Sequence, residues 1–230
     1  FDLKSIYQTV LKSVFTVFLL LCSIGVSGQI ISQYVDTNSG TTPKGIEIWN
    51  NTASTLNFAT NNLIIQQGTN GAAATNVVTV NTGTLASGAV IVIGTSDIGT
   101  YLTGQGLTSV TFVTFAFSFN GDDALVVKYG GTTTDIFGTV GTDPGTSWSA
   151  SGVSTADQNI ALLSSITTGS LVNYSNPSTR FSTISITPST LPAGLSGFGI
   201  APISSKTVTF NNNGGSGTMT NQTASTATNL

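Results

Sequence analysis

The stretch from Phe119 to Trp148 constrains the fold more than any other part of this chain. Phe119-Asn-Gly-Asp-Asp-Ala-Leu-Val-Val-Lys-Tyr129 reads as an extended end, an acidic turn and a strand. Asp135-Ile-Phe-Gly138 closes a second strand, and Gly141-Thr-Asp-Pro-Gly-Thr-Ser-Trp148 makes a tight corner ending on a tryptophan. Runs of β-branched and aromatic residues punctuated by Gly, Asn, Asp and Pro are the pattern of antiparallel hairpins. Gly130-Gly131 suits the positive φ angles of a tight turn, which predicts that Ala124–Tyr129 pairs with Thr133–Phe137. In Asp143-Pro144-Gly145 the aspartate accepts local amide hydrogen bonds, the proline fixes φ and the glycine takes a positive φ.

The same grammar recurs along the chain. Strands are expected at Ile30–Val35, Gly45–Asn50, Leu63–Gln66, Val77–Val80, Asn159–Leu163 and Phe181–Ile186. Ala89-Val-Ile-Val-Ile93 is continuously apolar, as a strand buried on both faces must be. Val110–Phe119 reads as a longer strand with Phe115, Phe117 and Phe119 on one face. Outside the N-terminal segment, no stretch of a dozen residues shows apolar residues at helical spacing. Many short strands and no fixed internal period predict an all-β sandwich rather than a solenoid. A domain boundary is expected after Ala201-Pro202, giving one domain over 29–202 and a second module, or a disordered tail, over 203–230.

Residues 1–28 carry a different signal. Lys4 and Lys12 precede an apolar run from Val14 to about Val26, and small residues follow at Ser27-Gly28. A basic start, a short apolar core and a small-residue cut site describe a secretory signal peptide with a helical core, cleaved after Gly28. The run is shorter than the roughly 20 residues that span a bilayer. The chain begins with Phe1, as expected of a segment inside a longer reading frame. Cleavage removes Cys22, the single cysteine, and the chain has no histidine. Cleavage would leave four basic and eight acidic residues. Four cations do not build the basic stripe that nucleic acid or an anionic membrane surface requires. The expected localisation is secreted or cell-surface, with an extracellular protein or glycan as partner and no membrane insertion of the mature chain.

Three blocks in order, Gly45-Ile-Glu-Ile-Trp-Asn50, Leu85-Ala-Ser-Gly-Ala-Val-Ile-Val-Ile93 and Phe119–Trp148, resemble the bacterial lamin-tail-type immunoglobulin-like domain. The resemblance covers about residues 30–165, and Leu195-Ser-Gly-Phe-Gly199 looks like the segment that closes such domains. Ser87 departs from the family, which often has proline there. The resemblance implies an immunoglobulin-like antiparallel β-sandwich acting as a module of a larger exported protein. Lys206-Thr-Val-Thr-Phe-Asn-Asn-Asn-Gly-Gly-Ser-Gly-Thr-Met-Thr-Asn-Gln222 resembles the opening hairpin of an internalin-type B-repeat, without the Gly-Tyr and Gly-Trp segment that usually follows.

Chemical signals are few. Asp122 and Asp123 on a strand would point to opposite faces and could not share a proton; in a turn, Asn120-Gly121-Asp122 is first a hairpin former. Calcium is the functional alternative for Asp122, Asp123 and Asp143, which Asp135 and Asp157 could join, although no EF-hand spacing is present. Trp49 and Trp148 either pack in the core or, if exposed, stack on sugar rings, the mark of a carbohydrate-binding module accessory to an extracellular hydrolase. Glu47, the sole glutamate, reads as the solvent-facing member of an alternating strand, and Arg180, beside Pro177-Ser-Thr, as an ordinary surface arginine or else an interface anchor. Gly94–Gly106 is glycine-rich without the strand–turn–helix setting of a dinucleotide site. Lacking His and any Cys beyond Cys22, the chain has no Ser-His dyad, thiol nucleophile or His-containing zinc site. The expectation is a non-catalytic module that needs no cofactor.

Overall fold

The computed structural model describes residues 28–38 and 40–202, together with the backbone of 206–208 and 222–224. The segment expected to be a signal peptide, apart from Gly28, lies outside the described residues, as does most of the tail. The described chain is mostly strand arranged in sheets, with one α-helix.

A six-stranded sheet is built from β1 (Gln29–Val35), β2 (Gly45–Asn50), β7 (Val90–Gly94), β8 (Thr111–Thr114), β13 (Asn159–Leu162) and β14 (Phe181–Ser185), in the order β14-β13-β1-β2-β7-β8. A four-stranded sheet has the order β10-β9-β4-β5, from β4 (Leu63–Gly68), β5 (Thr75–Val80), β9 (Ala124–Tyr129) and β10 (Thr132–Phe137). Short ladders join β3 (Leu56–Asn57) to β6 (Thr84–Leu85), and β11 (Ser149–Ala150) to β12 (Val153–Ser154). Beyond the sandwich, β15 (Lys206–Val208) and β16 (Gln222–Ala224) pair antiparallel.

The two sheets face each other across one apolar core. Ile46, Ile48, Ile91 and Ile93 of the larger sheet meet Leu63, Ile65, Leu125 and Val127 of the smaller. The β9–β10 hairpin turns through Gly130 and Gly131, both at positive φ, as the dipeptide predicts. Phe115 meets Phe117 edge to face and Phe117 stacks on Phe119, with centroids 4.8 and 4.9 Å apart. Regular pairing in that segment stops at Thr114, so the one-face reading holds while the strand is shorter than expected.

The other face of the larger sheet is covered too. Helix α1 (Ser96–Gly104) and the segment around Leu195–Phe198 pack over it, burying Val35, Val92, Ile98, Leu102, Leu195 and Phe198 in a second cluster. This is why β7 is apolar throughout: Ile91 and Ile93 face one core and Val92 the other. Helix α1 corrects two expectations. It is a helix where none was expected, and it lies between β7 and β8, which pair in parallel. Gly94–Gly106 therefore does sit in a strand–turn–helix setting. The first turn carries its own acid, however: Asp97 Oδ1 accepts from Thr95 Oγ1 at 2.5 Å and from the Ile98 amide at 3.1 Å. That carboxylate stands where a phosphate would bind a helix N-terminus.

Candidate functional site

The acidic turn opens on the core. Gly121 has a φ of +106°, and a Cβ there would lie 2.5 Å from the Ala156 side chain. The turn that follows carries both carboxylates inward, so the opposite-faces geometry of a strand does not apply. Asp122 and Asp123 are both buried. Asp123 accepts from the Asn70 amide and from Gln67 Nε2, each at 2.8 Å, tying the turn to the end of β4. Burial first, and then the neighbouring Asp122 carboxylate, raise its pKa. Among the described residues, Asp122 Oδ1 and the Tyr34 hydroxyl are buried without a hydrogen-bonding partner. Four carboxylates, from Asp36, Asp123, Asp122 and Asp157, act on that hydroxyl and, with burial as the larger cause, push it well above its ordinary pKa.

The cation at this end of the sandwich is the chain's own. The Lys44 ammonium contacts Asp36 Oδ1 and the Thr37 carbonyl, with side-chain exposures of 5% for Lys44 and 1% for Asp36. It lies 5.9 Å from the centroid of the Phe119 ring. Asp36 is pushed up to about 6 by burial, against the lowering effect of Lys44. Asp143 lies apart from this group: it is exposed and accepts the Gly145 amide at 2.7 Å, the turn contact expected of Asp-Pro-Gly. Among the described residues no three His, Cys, Asp or Glu side chains converge on a metal-sized position, so Asp122, Asp123 and Asp143 are not brought together.

Neither tryptophan offers a ring to solvent. Trp49 is 3% exposed and Trp148 is 4% exposed. The Trp148 ring covers Gly138, where a Cβ would come within 2.6 Å of it, and its backbone is pinned to Thr155. Stacking on a sugar would require opening the core at either position.

Two carboxylates assigned other roles from sequence, Asp135 as a candidate calcium ligand and Glu47 as a solvent-facing residue, carry much of the polar structure. Asp135 on β10 reaches across to the other sheet. Its Oδ2 accepts the Ile31 amide at 2.9 Å, next to the bulge that shifts β1 between Ile31 and Gln33. Its Oδ1 accepts the Ser170 amide at 2.6 Å and faces Arg180 at 3.3 Å. Arg180 is thus no ordinary surface residue: its side chain is 12% exposed, and it also donates to the Thr168 carbonyl. Burial raises Asp135 to about 6, with Arg180 as the leading opposing effect.

Glu47 is the second, and it overturns the solvent-facing expectation. It is 1% exposed beneath α1 and the closing segment. Its Oε2 accepts the Gly199 amide at 2.7 Å, and Oε1 lies 2.7 Å from Ser32 Oγ. Ser32 Oγ also lies 3.3 Å from the Glu47 carbonyl. A protonated Glu47 satisfies every one of these contacts: its O–H donates to Ser32 Oγ, whose own hydrogen goes to the carbonyl. Burial pushes Glu47 up to about 8. The sequence held one clue. A strand buried on both faces at Ala89–Ile93 implies that its neighbour β2 is covered on both faces as well.

No family model, no curated protein and no solved structure matches this chain.

Proposed function

We propose that this chain is a non-catalytic, exported module of a larger bacterial secreted or cell-surface protein, working in adhesion or as a structural spacer. Its sandwich is read as immunoglobulin-like, of the lamin-tail type. The observation that carries this reading is where the buried acids are engaged. Asp135 ties one sheet to the other, Glu47 ties the closing segment to β2, Asp123 ties a turn to β4, and Asp36 engages Lys44. The first three hold backbone amides and the fourth holds a buried ammonium, whereas a catalytic acid must meet a substrate in a cleft.

The basic and apolar residues of 1–28 support export, and the antiparallel pairing of Lys206–Val208 with Gln222–Ala224 supports a second β module, B-repeat-like, after residue 202. The partner class is an extracellular protein or a glycan. Fractionation of bacteria expressing the full chain tests the reading. The expected product lies outside the cytoplasm and starts at Gln29 by mass spectrometry; an uncut chain retained in the cytosol contradicts it.

A further inference from the structure

We propose that Lys44 and Asp36 become joined by an intramolecular amide bond, a covalent clasp across the mouth of the β1–β2 hairpin. The inference stands apart from the functional reading above and rests on the arrangement of reactants. Val35 and Gly45 are the last paired residues of the β1–β2 ladder, so Asp36 and Lys44 are the next to face each other. Lys44 Nζ is in direct contact with Asp36 Oδ1, and both side chains are buried. The Thr37 carbonyl accepts a second hydrogen from Nζ and so aims the nitrogen. On the far side of the carboxyl, Asp36 Oδ2 accepts the Asp157 amide at 3.3 Å. That donor faces the oxygen that would carry negative charge in a tetrahedral intermediate.

Burial favours the neutral form of the Asp36 carboxyl. Separated charges are expensive in an apolar setting, here walled by Phe119, and a proton passed from ammonium to carboxylate converts the ion pair into an amine and a carboxylic acid. The amine lone pair then attacks Asp36 Cγ, forming the C–N bond. A nitrogen-bound proton moves to the departing hydroxyl, the C–O bond breaks and water leaves as the carbonyl reforms. Lysine amine and aspartic acid thus give an amide and one water, with no oxidant or co-reactant. The exposed Asp157 carboxylate acts on Asp36 through its charge, and in this scheme it relays the second proton. Fixed contact between reactants replaces the activation that amide formation needs in solution. Residues 28–230 contain no cysteine, so a disulfide cannot supply this cross-link.

Intact-mass spectrometry of the purified full chain, after incubation at neutral pH, tests the proposal. The expected mass is one water below that of the sequence as processed. Trypsin should fail to cut after Lys44, and fragment ions should map the bridge to Lys44 and Asp36. Lys44→Arg should show the full mass, and Asp157→Asn, which tolerates the positive φ at that position, should form the bridge several-fold more slowly. Full mass and normal cleavage at Lys44 in the folded wild-type chain overturn the proposal. So does a water loss that persists in Lys44→Arg, because it would mark a cyclised aspartate elsewhere.

Discussion

At the scale of single residues, the buried acids behave as ties, and each tie has its own signature. Glu47 is satisfied as a neutral acid, so Glu47→Gln should be well tolerated: the amide can donate to Ser32 and accept from Gly199. Thermal unfolding in mild acid should change little, whereas the fall in stability towards alkaline pH should be largely removed. Asp135 is different because it serves three donors at once. Asp135→Ala strands the Ile31 amide, the Ser170 amide and the Arg180 guanidinium, and should cost about 4 kcal/mol in urea unfolding. An effect below about 1 kcal/mol would show that Asp135 does not bridge the sheets. Little of this was legible in sequence. Glu47 between Ile46 and Ile48 has the same alternation whether its face meets water or a second layer, and Arg180 gives no sign of the carboxylate that meets it.

At the scale of elements, strands and turns were legible because their rules are local. The Gly130-Gly131 hairpin, the Asp143 corner and the doubly buried β7 all follow from residues within a few positions of one another. Helix α1 was not legible because it is short, holds Gly99 and Gly104, and buries only Ile98 and Leu102. What fixes it is tertiary. Gly45 and Gly94 pair side by side, and Ile98 Cδ1 sits over both, 2.5 and 2.7 Å from where their Cβ atoms would stand. Gly94 also faces the Lys44 carbonyl at 2.7 Å in the same way, so there is no room for a methyl group. Gly94→Ala should therefore lift α1 and cost about 2 kcal/mol, with loss of protection of the α1 amides in hydrogen exchange. Unchanged protection would mean that the helix is held by other contacts.

At the scale of the whole molecule, burial moves these acids and phenols in one direction. Asp36, Glu47, Asp123 and Asp135 are all raised, chiefly by burial, as are Tyr34, Tyr101 and Tyr174. An acid whose pKa is higher in the folded than in the unfolded state holds its proton more tightly when folded. Its stabilisation is complete below the unfolded pKa and is lost as pH rises through the folded one. For Asp135 that window runs from 3.8 to about 6, and for Glu47 from 4.5 to about 8. Asp36 shares the direction only while it is not bridged to Lys44.

If the buried acids are architectural, urea unfolding of the full chain from about pH 4 to about pH 8.5 shows it directly. The free energy of unfolding should fall steadily with rising pH, and Glu47→Gln should flatten the upper half of that fall. A stability that instead climbs between about pH 5 and about pH 8 would mean that pairing with Lys44 and Arg180 outweighs burial, and would contradict the reading of these acids as groups raised by burial.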